Sequence, residues 1–165
     1  MSIRAALAIA AIVGIAPAAS AREVVPFQAG VSPGTIVIKT GERRLYYVRG
    51  DGTALRYRVA VGKPGKQWFG EAQIDGKYIQ PAWSPPAEVR RDNPRLPDVI
   101  PGGSPGNPMG ARALTLDLDE YAIHGTNRPA SIGTFASYGC IRMLNEDIVD
   151  LYEQVQVGTR VVVTP

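Results

Sequence analysis

The chain has 165 residues, of which 45% are hydrophobic and 20% charged, with a formal net charge of +3. That length suits one domain and leaves little room for a second. The Lys and Arg residues are scattered, so nucleic-acid binding, which leaves a clustered basic footprint, is not expected.

The N-terminus reads as an address. Residues 1–4 give a short positive start and 5–15 an unbroken small-apolar run; Pro17 interrupts it, and Ala19-Ser20-Ala21 has the form of a cleavage site. This order of parts predicts a secretory signal peptide over residues 1–21. The run falls short of the roughly 20 residues a spanning helix needs, so no stable membrane span is expected. A core helix is the alternative, but the run has no polar face. With no Cys near the cleavage site, a lipid anchor there is not expected. The mature chain is therefore expected to be secreted or periplasmic, in the cell envelope.

Residues 22–33 read as a lead-in. Strands are predicted over 35–39 and 44–48, joined by a Thr40-Gly41-Glu42 turn, and over 54–61 after Gly50-Asp51-Gly52. Together they make an antiparallel meander. Residues 62–110 are dense in Gly and Pro and are expected to be mostly loop, since proline removes backbone donors. A loop of that length is either functional or disordered. Trp83 and the aliphatic residues favour function, as a lid or groove wall, although Trp83 also suits a simple core anchor.

Two short strands, 113–118 and 121–124, follow around Asp119-Glu120. A helix is then predicted with Asn145 as its cap, Glu146 and Asp147 in its first turn, and Ile148, Leu151, Tyr152 and Val155 on one apolar stripe. Gly158 ends that unit and residues 159–163 form a closing strand. The sum is a mainly-β domain, a sandwich or mixed sheet, with one or two short helices.

His124 is the only histidine and Cys140 the only cysteine. An internal disulfide is impossible, and a lone Cys in an exported chain is buried and inert, paired with another chain, or used as a thiolate. Composition does not choose among these. The two residues share one stretch, His124 ending a strand and Cys140 in a Gly/Ser-rich turn. An imidazole beside a thiol raises its thiolate fraction, takes its proton and returns one to a leaving amine. Gly139 lets a backbone approach, and the amides of Tyr138, Gly139 and Cys140 form a candidate oxyanion hole. A zinc site has too few N/S ligands, no metal or other cofactor is implied, and no G-x-S-x-G elbow supports Ser137 or Ser131 as nucleophile.

The segment from His124-Gly125-Thr126 through Ser137-Tyr138-Gly139-Cys140-Ile141-Arg142-Met143 resembles the signature of the L,D-transpeptidase family, the YkuD-type catalytic domain. Trp83-Ser84-Pro85-Pro86, the Pro-Gly-Gly run at 101–103, residues 106–113 and Asn145-Glu146-Asp147-Ile148 extend the likeness. The resemblance implies a β-sandwich-like catalytic domain over residues 34–165. It also implies peptidoglycan stem peptides as partners, with Cys140 attacking the amide between the third residue of a stem tetrapeptide and its terminal D-Ala. The thioester would pass to another stem's amine or to a lysine of a wall-anchored lipoprotein. His124 would be base and then acid, with the Gly125 carbonyl orienting its ring. Arg142 would order the loop or meet a substrate carboxylate, or else form a structural salt bridge. Ser137, Thr126, Asn127 and Trp83 are candidate substrate contacts.

Two departures stand out. Many members carry a second histidine where this chain has Tyr138, and residues 62–70 lack the family's T-P-x-G form. Trp68 and Phe69 are therefore expected to reshape one wall of the site. Two alternatives keep Cys140 and His124 but use water: an L,D-carboxypeptidase, and a hydrolase that detaches wall-linked lipoprotein. A non-catalytic wall-binding module is the alternative from another class.

Overall fold

The computed structural model describes residues 22–28 and 30–165. The predicted signal peptide lies outside the described residues. Among those described, no helix is long and apolar enough to cross a membrane.

The predicted meander is present as β2 (Ile36–Lys39), β3 (Arg44–Val48) and β4 (Thr53–Arg58), each antiparallel to the next. The lead-in differs from expectation. Residues Arg22–Pro26 form a strand, β1, antiparallel to β4. Val25, Phe27 and Val31 cover Val37, Tyr46, Val48 and Ala54 on the outer face of the meander. Phe27 stacks on Tyr46 at 4.6 Å between ring centroids. That apolar cover gives the lead-in a reason to be ordered.

The larger correction is within residues 62–110. After the two-residue β5 (Val61–Gly62), Gly70–Ile79 forms β6, a ten-residue strand. Ala72, Ile74 and Gly76 alternate inward against exposed Glu71, Gln73 and Asp75. The first part of β6 pairs with β11 (Arg160–Thr164) and the second with β7 (Arg112–Leu116). The register shifts between Ile74 and Gly76, an irregularity that bends a strand. β6 is thus the seam where the sheet turns from one half to the other.

The whole is one nine-stranded mixed sheet, in the order β1-β4-β3-β2-β11-β6-β7-β8-β10, where β8 is Ala122–His124 and β10 is Ile141–Arg142. β11 runs parallel to β2 and β10 parallel to β8; the other pairs are antiparallel. A further short strand, β9 (Phe135–Ser137), pairs with β5. One core cluster joins Ile36, Ile38, Leu45 and Tyr57 from one half with Leu114, Ile123 and Ile141 from the other.

The segment between β6 and β7 is ordered despite its prolines. Trp83 and Ile100 exchange backbone hydrogen bonds of 2.9 and 2.8 Å. The side-chain amide of Asn107, 3% exposed, reaches the carbonyls of Pro81, Ile100 and Pro101, and its oxygen accepts from the Met109 amide. A short helix, α1 (Ala87–Asp92), sits within the segment and buries none of its residues.

The second helix, α2 (Asn145–Gln154), carries the predicted stripe: Ile148, Leu151 and Val155 enter the core and Tyr152 packs against it. Its cap is different. Leu144 occupies the cap position and makes no side-chain bond there, while Asn145 turns away to other segments. At the far end, the Lys77 ammonium donates to the carbonyls of Tyr152 and Val155, both at 2.7 Å, satisfying groups the helix leaves unpaired.

Asp147, in the first turn of α2, is 2% exposed, and its Oδ2 has no hydrogen-bond partner among the described residues. Burial pushes its carboxyl up to about 6; the Glu146 charge adds to the effect and Arg22 opposes it. A folded-state value above the usual carboxylate value of about 3.9 means the folded protein holds that proton more tightly. Stability from this group is therefore greatest below about pH 4 and is lost as pH rises through 6. Asp147→Asn should gain on the order of 1 kcal/mol over the native chain at pH 7.5 and nothing at pH 4. Urea unfolding at both pH values measures it, and a gain independent of pH would refute this account.

Candidate active site

The site is built on the parallel pairing of β8 and β10. His124 lies directly opposite Arg142, and the Met143 amide donates to the His124 carbonyl at 2.8 Å. Side chains alternate along a strand, so Cys140, two residues before Arg142, returns to the same face as His124 and Arg142. All three line one cavity of about 360 Å³. Ser137, Tyr138 and Trp83 also border it, as do Met109 and Tyr121.

His124 is 4% exposed, and its Nδ1 lies 2.7 Å from the Gly125 carbonyl oxygen. A carbonyl only accepts, so Nδ1 carries the proton and donates, leaving Nε2 as the acceptor. Burial lowers the imidazole to a pKa of about 4, helped by the Arg142 charge, while the carbonyls of Gly125, Pro108 and Met109 oppose the shift. Burial also pushes the Cys140 thiol up, with the Ala122 backbone and Arg142 opposing and the Glu120 charge reinforcing it. Burial thus favours the neutral imidazole and the neutral thiol in the resting site.

The loop that carries Cys140 is braced from both sides. Ser137, 1% exposed, donates from its hydroxyl to the Cys140 carbonyl at 2.5 Å and accepts from the Gly139 amide at 3.1 Å. The Gly139 amide is thus occupied, and the candidate oxyanion hole contracts to the amides of Tyr138 and Cys140. Ser137 itself acts on the loop. Gly139 has φ +128°, and a Cβ there would run into the Tyr121 ring, so the position demands glycine. The Trp68 indole donates to the Gly139 carbonyl at 3.1 Å and stacks on Tyr121, with centroids 5.5 Å apart and planes 6° from parallel. Trp68 shapes the wall from behind Tyr121. Phe69 does not share this role: it is 53% exposed and away from the cavity lining.

The remaining candidates separate. Trp83 stands between this cavity and a neighbouring one. Thr126 is 4% exposed and does not line the Cys140 cavity; its hydroxyl accepts from the Arg128 amide. Asn127 is exposed and donates to the Pro105 carbonyl, also outside that cavity. Arg142 pairs with no carboxylate among the described residues, against a structural salt bridge.

Three residues were missed as part of the site. Tyr121 is a wall of the cavity, Met109 borders it, and Asn145 holds its support together. The Asn145 side-chain oxygen accepts from the amides of Ala111 and Thr126, and its nitrogen donates to the Thr126 carbonyl. A Cβ on Gly110 or Gly125 would strike that oxygen. The pairing of Gly110 and Gly125 with a nearby Asn is a signal only when the segments are known to meet. Among the described residues, no group of three His, Cys, Asp or Glu could hold a metal ion.

Residues 33–163 match the family model of the L,D-transpeptidase catalytic domain, YkuD. The chain belongs to this family. The Escherichia coli K12 protein named Probable L,D-transpeptidase YbiS is 43% identical over 135 residues, which is 76% of this chain and 43% of that one. The chain therefore spans under half the length of this curated relative. A mutant of the Enterococcus faecium L,D-transpeptidase shares the fold with a TM-score of 0.64 at 18% identity, over 81% of this chain and 50% of that one. A Brucella melitensis crystal structure, named as a probable carnitine operon oxidoreductase, is 44% identical with a TM-score of 0.58. It covers 91% of this chain and 96% of that one.

The neutral resting pair has a measurable consequence. The rate of Cys140 alkylation by iodoacetamide should climb through pH 6–9 without levelling off near neutrality, because the thiolate fraction grows throughout. A plateau reached by pH 6.5 would mean that a stable thiolate–imidazolium pair exists in the resting protein.

Proposed function

We propose that the chain is an exported cysteine acyltransferase that takes a peptidoglycan stem tetrapeptide as acyl donor and passes it to an amine. The observation that carries this reading is one cavity holding Cys140 and His124 with the imidazole already turned by the Gly125 carbonyl. Family membership supports the same reaction class. The site residues are Cys140 as nucleophile and His124 as base and then acid. The signal peptide over 1–21 and the catalytic domain over 34–165 belong to this proposal, as does action in the cell envelope.

The thiol proton passes to His124 Nε2 as Sγ bonds to the carbonyl carbon preceding the terminal D-Ala. The carbonyl oxygen gains charge opposite the amides of Tyr138 and Cys140. Collapse breaks the C–N bond, and the imidazolium returns the proton to the departing amine of D-Ala. An incoming amine then attacks the thioester, giving its proton to His124, and the thiol is restored. A neutral resting pair suits this sequence, since the proton moves only as the carbonyl is attacked. The acceptor is another stem's amine, giving a cross-link, or a lipoprotein lysine.

Purified protein incubated with the tetrapeptide should gain the mass of the peptide less D-Ala, and a second stem peptide should convert the adduct to a cross-linked dimer. Cys140→Ser should gain no mass, and His124→Ala should acylate about 10²-fold or more slowly. Free tripeptide with no dimer would replace transfer by hydrolysis; no adduct from folded native protein would leave a wall-binding module.

A further inference from the structure

A second cavity, of about 200 Å³, adjoins the one holding Cys140. Trp83, Val89, Pro108, Tyr138 and Arg142 border both. Their charges are opposed. The first is edged by Glu88, Asp119 and Glu120, whereas the second has no carboxylate in its lining and is faced by two guanidinium groups, those of Arg128 and Arg142.

Neither arginine forms a salt bridge among the described residues. They are near enough to feel each other: burial holds Arg142 below the usual guanidinium range, Cys140 opposes this, and the Arg128 charge adds a smaller push in the same direction as burial. Two like charges converging on one concavity without a counter-ion is unfavourable unless an anion enters it. The backbone beneath Arg128 is fixed. Its amide donates to the Thr126 hydroxyl at 2.9 Å, and its carbonyl accepts from the Ser131 amide and hydroxyl at 2.9 and 2.7 Å. Thr126 is in turn held by Asn145. Arg128 is exposed, lines the cavity and forms no salt bridge among the described residues.

We propose that the second cavity is a carboxylate subsite in which Arg128 acts with Arg142 on the free C-terminal carboxylate of the donor peptide, making Arg128 a specificity-determining residue. The inference rests on the acyl-donor reading above. With the scissile carbonyl at Cys140, the terminal carboxylate lies one residue farther along, a span of about 3.5 Å. Arg142, on the same face as Cys140 and bordering both cavities, lies on that route. Guanidinium forks match the planar carboxylate in geometry as well as charge. The Asn93 and Asn127 amides, also in the lining, supply further polar groups.

The test uses Cys140→Ser, which cannot form a thioester, and measures calorimetric affinity for the tetrapeptide with a free C-terminal acid and with a C-terminal carboxamide. The acid should bind about tenfold more tightly. Adding Arg128→Gln should cut that preference to about threefold or less, with circular dichroism reporting a folded protein; Arg128→Lys should fall between. Equal affinity for acid and carboxamide, a preference that survives Arg128→Gln, or failure of either peptide to bind overturns the subsite. The catalytic reading fails separately. If native protein forms no peptide thioester but the Arg128-dependent acid preference persists, acyl transfer is lost and the carboxylate subsite stands.

Discussion

Two residues of parallel pairing, β10 against β8, are the constraint on which the site depends. The register that sets Arg142 opposite His124 carries the preceding Cys140 into the cavity that the imidazole lines. A parallel pair needs a crossover, and here the returning chain supplies the 3₁₀ turn at Pro129–Ser131 and β9 on its way. That crossover carries Arg128 and the loop that ends at Cys140. Fold and chemistry therefore share one requirement, because slipping β10 by one residue would turn Cys140 and Arg142 away from His124.

The floor of the site is stiff for reasons that lie outside it. Ser137 ties the two ends of the turn around Gly139, Trp68 holds the Gly139 carbonyl, and Tyr121 fills the space a side chain would need. Asn145, at the start of α2, then joins the loop after His124 to the segment before β7. A thiol mounted this way does not need a resting charge to keep its place. Burial favours neutral forms of both Cys140 and His124, and the preset Nδ1 donation leaves Nε2 ready for the proton.

Much of this was legible in the sequence where local chemistry decides structure. The meander, the strand ending at His124 and the stripe of α2 followed from alternation and helical spacing. β6 was missed because Gly76 and small Ala72 stand where large apolar residues usually mark a buried face. The reason is tertiary: a Cβ on Gly76 would meet the Tyr78 ring and the Thr115 hydroxyl. The lead-in strand was missed because its apolar partners are in the meander. Asn145 reads as a cap from its neighbours, yet three backbone groups distant in sequence outcompete the helix end for its side chain. Thr126 and Asn127 follow His124 in the signature, but neither lines the Cys140 cavity, and Asn127 borders the adjoining one instead.

The wall opposite this floor is held by different forces. α1 borders the cavity with Ala87, Glu88 and Val89 but buries no residue of its own. Its ties to the body are polar: Lys66 to Glu88, the Tyr138 hydroxyl to Asp92, and Lys63 to Asp92 at 3.6 Å while lying 3.7 Å above the Tyr138 ring. Exposed ion pairs each contribute little, and salt screens them. Tyr138 is what connects this wall to the loop that carries Cys140. The site thus combines a core-backed floor with a charge-tethered wall, and of the two the wall is the one that salt would loosen.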